Sequence, residues 1–210
     1  MAQFIAKMPV IAKRKISEDG TKVTFEEGMI LAKMMSCTVT PTQSNVEVYG
    51  DDAVAEKDNS VTGAGVTLNT TYLPTKPAAY MFGSEYKEKT ETEPEQIISK
   101  DSDEAPEVAY GYIDGHKQDG KKKFRVRILP CVIFNQPAET SNTKGNTVAF
   151  TTPSLSGTAK VDSVTGEWKH DYFFDSAKDA IEFLKTITGI AAAEPGAQNV
   201  AEPEAQQSEE

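Results

Sequence analysis

From Met29 to Val39 the odd positions carry Met29, Leu31, Met35, Cys37 and Val39, interrupted only by Lys33, while Ser36, Thr38 and Thr40 take the opposite side. A period of two predicts a strand with one buried and one wet face. Residues 60–72 repeat the pattern, with Ala64, Val66, Leu68 and Tyr72 against Thr67, Asn69 and Thr71. Runs rich in β-branched and aromatic residues predict further strands over 107–114, 121–137, 146–161 and 167–174. Asp-Gly or Thr-Gly pairs in "SEDGTK" (17–22), "YIDGHKQDGKKKF" (112–124) and "SVTGEW" (163–168) predict three hairpins, because these pairs supply the positive φ that a tight turn needs.

Helical spacing is rarer. "DSAKDAIEFLKTITG" places Ala177, Ala180, Ile181, Leu184 and Ile187 on one face, with Asp175 or Ser176 as N-cap and Gly189 as stop. "LPTKPAAYMFG" (73–83) predicts a short helix ended by Gly83. Two stretches fit neither period. Residues 41–59 form a long connection with an alternating Val46–Val48 run and the acids Asp51, Asp52, Glu56 and Asp58, and 84–107 read as an acidic linker. Residues 190–210, an Ala/Glu/Gln/Pro segment, bury too little to offset their ordering entropy and are expected to be disordered.

The expected fold is thus a mainly β body with one C-terminal helix and a short helix near 75–82, and 210 residues suffice for one good core. A formal net charge of −10 argues against a dedicated nucleic-acid binder, which needs clustered positive charge. "KKKFRVRILPCVIF" (121–134) stands out against that background. Its even positions Phe124, Val126, Ile128, Val132 and Phe134 read as one apolar face, Arg125 and Arg127 alternate outward, and with Lys121, Lys122 and Lys123 at the turn the basic cluster reads as a strand's solvent end facing carboxylates of the same molecule or of a neighbouring copy. Pro130 requires a bulge or an unpaired edge.

Catalytic patterns are not visible. His116, placed in a turn, and His170, beside Trp168, have no Cys or carboxylate at ligand spacing; the serines form no nucleophile elbow; "VTGAGVTL" lacks the rest of a phosphate loop. Cys37 and Cys131 read as reduced buried thiols, a lone disulfide being the alternative, and no cofactor or metal is expected. Lysines interrupt each apolar run of the first twenty residues, so neither a secretory signal nor a membrane span is expected there.

The succession from hairpin to long acidic loop, "YMFG" helix end, acidic connection and "YGYIDGHKQDGKKKFRVRILPCVIFNQPAETSNTKGNTVAFTTPSLSGTA" resembles the major tail, or tail-tube, proteins of long non-contractile-tailed bacteriophages. Gly111–Tyr112, Phe124–Pro137, Thr140–Thr152 and Val164–Lys169 carry the resemblance, which spans residues 20–187. It implies a twisted β-sandwich or partial barrel of tail-tube type, with 1–22 as an N-terminal arm and 23–189 as the body. Six copies would form a ring, and stacked rings a tube in the virion tail, assembled in the bacterial host cytoplasm. Strands 29–40 and 60–72 would line the lumen with Thr38, Thr40, Thr67, Asn69 and Thr71, and loop 41–59, with Asp51, Asp52, Glu56 and Asp58, would reach the next ring. Implied partners are further copies of the chain, the tape-measure, terminator and distal tail proteins and a tail chaperone, with viral DNA passing through unbound and no membrane insertion. A structural protein, not an enzyme, is expected. Rival readings are a small-molecule β-barrel carrier, an immunoglobulin-like surface module and a type VI secretion-like tube protein.

Overall fold

The computed structural model describes residues 2–50, 53–118, 120–139 and 152–190. The elements are β1 (Ala2–Ile16), β2 (Val23–Ile30), β3 (Met34–Gln43), β4 (Val46–Gly50), β5 (Ala53–Asp58), β6 (Val61–Thr70), α1 (Thr75–Phe82), β7 (Glu85–Lys87), β8 (Gln96–Ile98), β9 (Val108–Gln118), β10 (Lys121–Asn135), β11 (Ser154–Lys160), β12 (His170–Phe174) and α2 (Ala177–Ile187). The architecture is mainly β and antiparallel, as the alternation predicts. One sheet runs β2-β1-β9-β10-β11-β6-β3 with β12 added to β10, and β4–β5 and β7–β8 form separate ribbons.

β10 organises the sheet. Its first half lies between β9 and β12, with Phe124 opposite Phe174 and Ile128 opposite His170, and its last residues pair with β11, from Val132↔Ala159 to Asn135↔Ser156. At the junction Leu129 pairs with Tyr110 but Val132 with Val108, so one extra residue is accommodated around Pro130, which has no N–H to give to a ladder. The bulge inverts the alternation. Val126 and Ile128 join the cluster beneath α2, with Phe124 packed against it, whereas Val132 and Phe134 point into the opposite core. A single apolar face for all five is therefore incorrect.

The larger core fills the inside of the sheet, which curls until β3 approaches β1. Ile11, Val66, Leu68, Tyr110, Phe134 and Leu155 pack there, together with Met81 from α1. On the outer side Ala180 and Leu184 of α2 cover Val10, Ile113, Val126 and Ile128. Gly111 permits this approach: a Cβ there would lie 2.8 Å from Leu184 Cδ1. The Ser176 hydroxyl caps α2 by accepting from the Lys178 N–H at 3.2 Å, and Gly189, at φ 65°, follows its end. Ser176→Ala should lower stability by about 1 kcal/mol, read as a lower urea midpoint at unchanged m-value.

Several expectations change. Residues 2–16 are no arm: β1 is an interior strand between β2 and β9. The run Met29–Val39 is not one strand, because the chain turns at Leu31–Lys33, where the Leu31 N–H donates to the Pro9 carbonyl at 2.8 Å and Leu31 enters the core. An extra residue in β3 between Met34 and Ser36 leaves Met35 58% exposed and directs Met34 inward instead. The 163–168 turn exists but makes no hairpin, since β11 and β12 flank different halves of β10. Residues 41–59 hold the end of β3 and the β4–β5 ribbon, and 84–107 hold β7–β8. The stretch expected to be disordered lies outside the described residues from 191 onward; Ile190 packs beside the α2 cluster.

Candidate functional site

β3, β6 and β11 turn their alternate apolar residues inward, including Cys37 and Val39, Ala64, Val66 and Leu68, and Leu155 and Ala159. Their outer residues then fall into register. Ser36, Asn69 and Ser154 make one cross-strand row; Thr38, Thr67, Ser156 and Asn135 of β10 make the next; Thr40, Gly65 and Thr158 make a third. All are exposed except Asn69, which is half-buried and donates through Nδ2 to Ser36 Oγ at 2.8 Å. These rows carry hydroxyls and amides and no ionisable group. Lys160, at one end of β11, is paired with Glu107 at 3.4 Å.

Thr38, Thr40, Thr67 and Asn69 thus share the face on which the alternation put them. Thr71 does not: it lies beyond β6, where its N–H donates to the Lys33 carbonyl at 3.0 Å. The contribution of β11 was missed, although "SLSGTAK" alternates as clearly as β6. Asp51 and Asp52 lie outside the described residues, and Glu56 lies on β5. Asp58 ends β5, where the Ser60 N–H and hydroxyl bond its carboxylate at 2.9 and 3.1 Å and hold its pKa below the usual value. The β4–β5 ribbon continues from the end of the β3–β6 pair, with the Ser44 N–H donating to the Ser60 carbonyl at 2.8 Å.

The margins of this polar sheet differ from the sheet's far edge. At that far edge β2 is blunted by Glu26, by a bulge with Glu27 at φ 49°, and by the segment after α2, since a Cβ on Gly28 would meet the Thr188 carbonyl oxygen at 2.6 Å. β3 ends the other side with "MMSCTVTPTQ", a run without a charged residue and with Pro41 as its only edge-protecting residue. On the opposite margin β9 stops pairing at Val108↔Val132, so among the described residues Ile133–Asn135 pair on the β11 side alone. They border a groove of about 400 Å³ lined also by Lys100, Asp103 and Ala105.

The basic cluster is internally satisfied where it meets the core. Arg125 grips Asp114 through Nε and Nη2 at 3.0 and 2.6 Å, while Arg127 binds Asp171 at 2.7 and 3.1 Å and the Tyr112 hydroxyl at 3.2 Å. Burial alone would raise the Asp171 carboxyl, but Arg127 and Lys169 hold it below its usual value; burial pushes Tyr112 up to about 12. These arginines are largely buried, not a solvent face. His116 lies within β9 rather than in a turn, buried edge-on to Phe173, with neither ring nitrogen hydrogen-bonded. His170 Nδ1 is 3.2 Å from the Tyr172 hydroxyl. Both cysteines are free thiols; burial raises each pKa, that of Cys131 to about 11 with Glu107 adding to it.

Among the described residues no three His, Cys, Asp or Glu side chains converge on a metal position, and no helix is long and apolar enough to cross a membrane. Comparison with models of known protein families and with curated proteins finds no match to this chain.

Proposed function

We propose that the chain is the subunit of a phage tail tube, polymerising as stacked rings, six copies to a ring, around a channel for DNA in the virion tail. One observation carries the reading. Among the described residues a four-stranded polar sheet, from the end of β10 through β11 and β6 to β3, has cross-strand outer rows without an ionisable group, Lys160 standing at one end, and a strand margin on each side with no further strand paired to it. Unpaired edges are templates for another chain, and a ring of copies would join β3 of one to Ile133–Asn135 of the next. The face so continued would be wet and neutral, offering duplex DNA no counterion release and hence no tight binding. The β4–β5 ribbon would extend from the rim toward the adjacent ring.

The carrier reading finds less support, because Tyr110, Phe134, Leu68 and Leu155 pack together on the inside of the curled sheet. Sedimentation velocity and negative-stain microscopy across a concentration series test the proposal. Rings or hollow tubes of uniform width are expected; a chain that stays monomeric at the highest concentration overturns it.

A further inference from the structure

The connection between β11 and β12 forms a cleft with the end of α2. It is pinned to β1 through Asp162, whose carboxylate accepts from Arg14 Nε at 2.9 Å, and it is closed on itself by the Asp162 N–H, which donates to the Glu167 carbonyl at 2.9 Å. The Glu167 N–H in turn donates to Thr165 Oγ1 at 3.3 Å, so the turn is held in place before any ligand arrives. Between Thr165 and Glu167 on one side and Ile187 of α2 on the other lies a space of about 370 Å³. Small-molecule sites begin at about 300 Å³. Phe25 and Pro130 give the cleft apolar walls, and Tyr172 adds a second aromatic ring. None of the lining residues belongs to the polar rows of β3, β6 and β11, so the cleft is separate from the face proposed for the channel.

The polar groups of the cleft favour a cation. Glu167 stands half-exposed at its mouth, and no Lys or Arg is among the lining residues. His170 Nε2 lies 3.0 Å from Glu167 Oε2 but makes no hydrogen bond, since the carboxylate is out of line with the ring nitrogen. The ring is held instead through Nδ1, 3.2 Å from the Tyr172 hydroxyl. The Glu167 carboxylate therefore keeps its capacity to accept from another donor. A carboxylate at the mouth of an apolar cleft with two aromatic rings suits an organic ammonium ion: the carboxylate accepts from its N–H groups, the rings add attraction for a cation, and its apolar body covers Phe25, Pro130 and Ile187. An anion would be repelled by Glu167, and an uncharged ligand would forgo the charge-assisted bond. We infer that the cleft between α2 and the β11–β12 turn binds a small arylalkylamine, with Glu167 receiving the ammonium group. The site is complete within one chain and does not depend on tube formation.

The test titrates the intact ¹⁵N-labelled chain at neutral pH with phenethylamine and with tryptamine, each against its uncharged counterpart, phenethyl alcohol and tryptophol. Saturable shifts are expected at the Phe25, Thr165, Glu167 and Ile187 amides, with a dissociation constant of about 1 mM for amines of this size. The alcohols should bind about tenfold more weakly. Glu167 and Thr24 are exposed, and Thr24 also lines the cleft, so substitutions at both should leave the fold intact, which unchanged amide positions away from the cleft would verify. Glu167→Gln should weaken the amines by about tenfold and leave the alcohols as they were. Thr24→Trp should fill the cleft and abolish binding of both. The absence of saturable shifts with either amine, shifts centred away from the cleft, alcohols that bind as tightly as the amines, or amine affinity unchanged in either variant would each overturn the inference.

Discussion

Asp162→Ala should lower stability by about 3–5 kcal/mol. Asp162 sits buried in the turn between β11 and β12, where its carboxylate accepts from Arg14 Nε and Nη2, both at 2.9 Å, and from the Val164 and Thr165 N–H groups at 2.8 and 3.2 Å. Removing it leaves the Arg14 guanidinium, itself 8% exposed, with Glu107 at 3.6 Å as its remaining ion-pair partner among the described residues, and leaves two turn amides without their acceptor. Arg14→Met with Asp162→Leu should recover part of the loss, because no lone charge stays buried, but not the part owed to the turn amides. Urea midpoints of the three variants measure this, and a loss under about 1 kcal/mol for Asp162→Ala would refute it.

The same carboxylate sets a pH dependence. Burial alone would raise its pKa, yet the Val164 N–H, Arg14 and the Thr165 N–H together hold it below the ordinary aspartate value. Asp171, gripped by Arg127, is shifted the same way. Groups whose folded pKa is depressed contribute stability that is complete above the unfolded value and is lost as pH falls through the folded one. Unfolding free energy should therefore decline on acidification below the usual aspartate range, and the decline should be shallower in Asp162→Ala. Parallel curves for the two proteins would contradict the assignment.

How far the sequence reveals this fold depends on where alternation is continuous. β6, the start of β9, the first half of β10 and α2 were legible because each repeats one period, and the pattern also put Thr38, Thr40, Thr67 and Asn69 on one side of one sheet. Where one residue is added, the reading fails. The bulge at Pro130 exchanges the faces of Val132 and Phe134, and the one between Met34 and Ser36 expels Met35, because parity carries no record of where it was reset. Pro130 signalled a bulge without saying that two cores meet there. Pairing between distant segments is equally silent: that β1 lies beside β9, from Ala2↔Lys117 to Lys13↔Val108, or that β11 and β12 share β10, depends on partners that no local pattern names. The arginines illustrate both sides, since their alternation was visible but the carboxylates at Asp114 and Asp171 that bury them were not.

If the neutral face lines a channel, Thr38→Lys with Thr67→Lys should convert a passage that does not hold DNA into one that does. Thr38 and Thr67 are opposite each other, exposed and outside both cores, so the folded subunit should survive two lysines, with some local repulsion between them. Around a closed ring the added charges would form a belt. Each phosphate neutralised adds about 0.9 to the slope of log affinity against log salt, so retention should be strong in dilute buffer and collapse as salt is raised. Tubes of each protein can be mixed with short duplex DNA, washed, and treated with nuclease. The unaltered tubes should keep little DNA, and the double variant should keep DNA that resists digestion, because it lies inside the wall. DNA that binds the variant but is digested at once would put Thr38 and Thr67 on the outside of the assembly, and intact variant tubes without bound DNA would remove this face from any path that a nucleic acid follows.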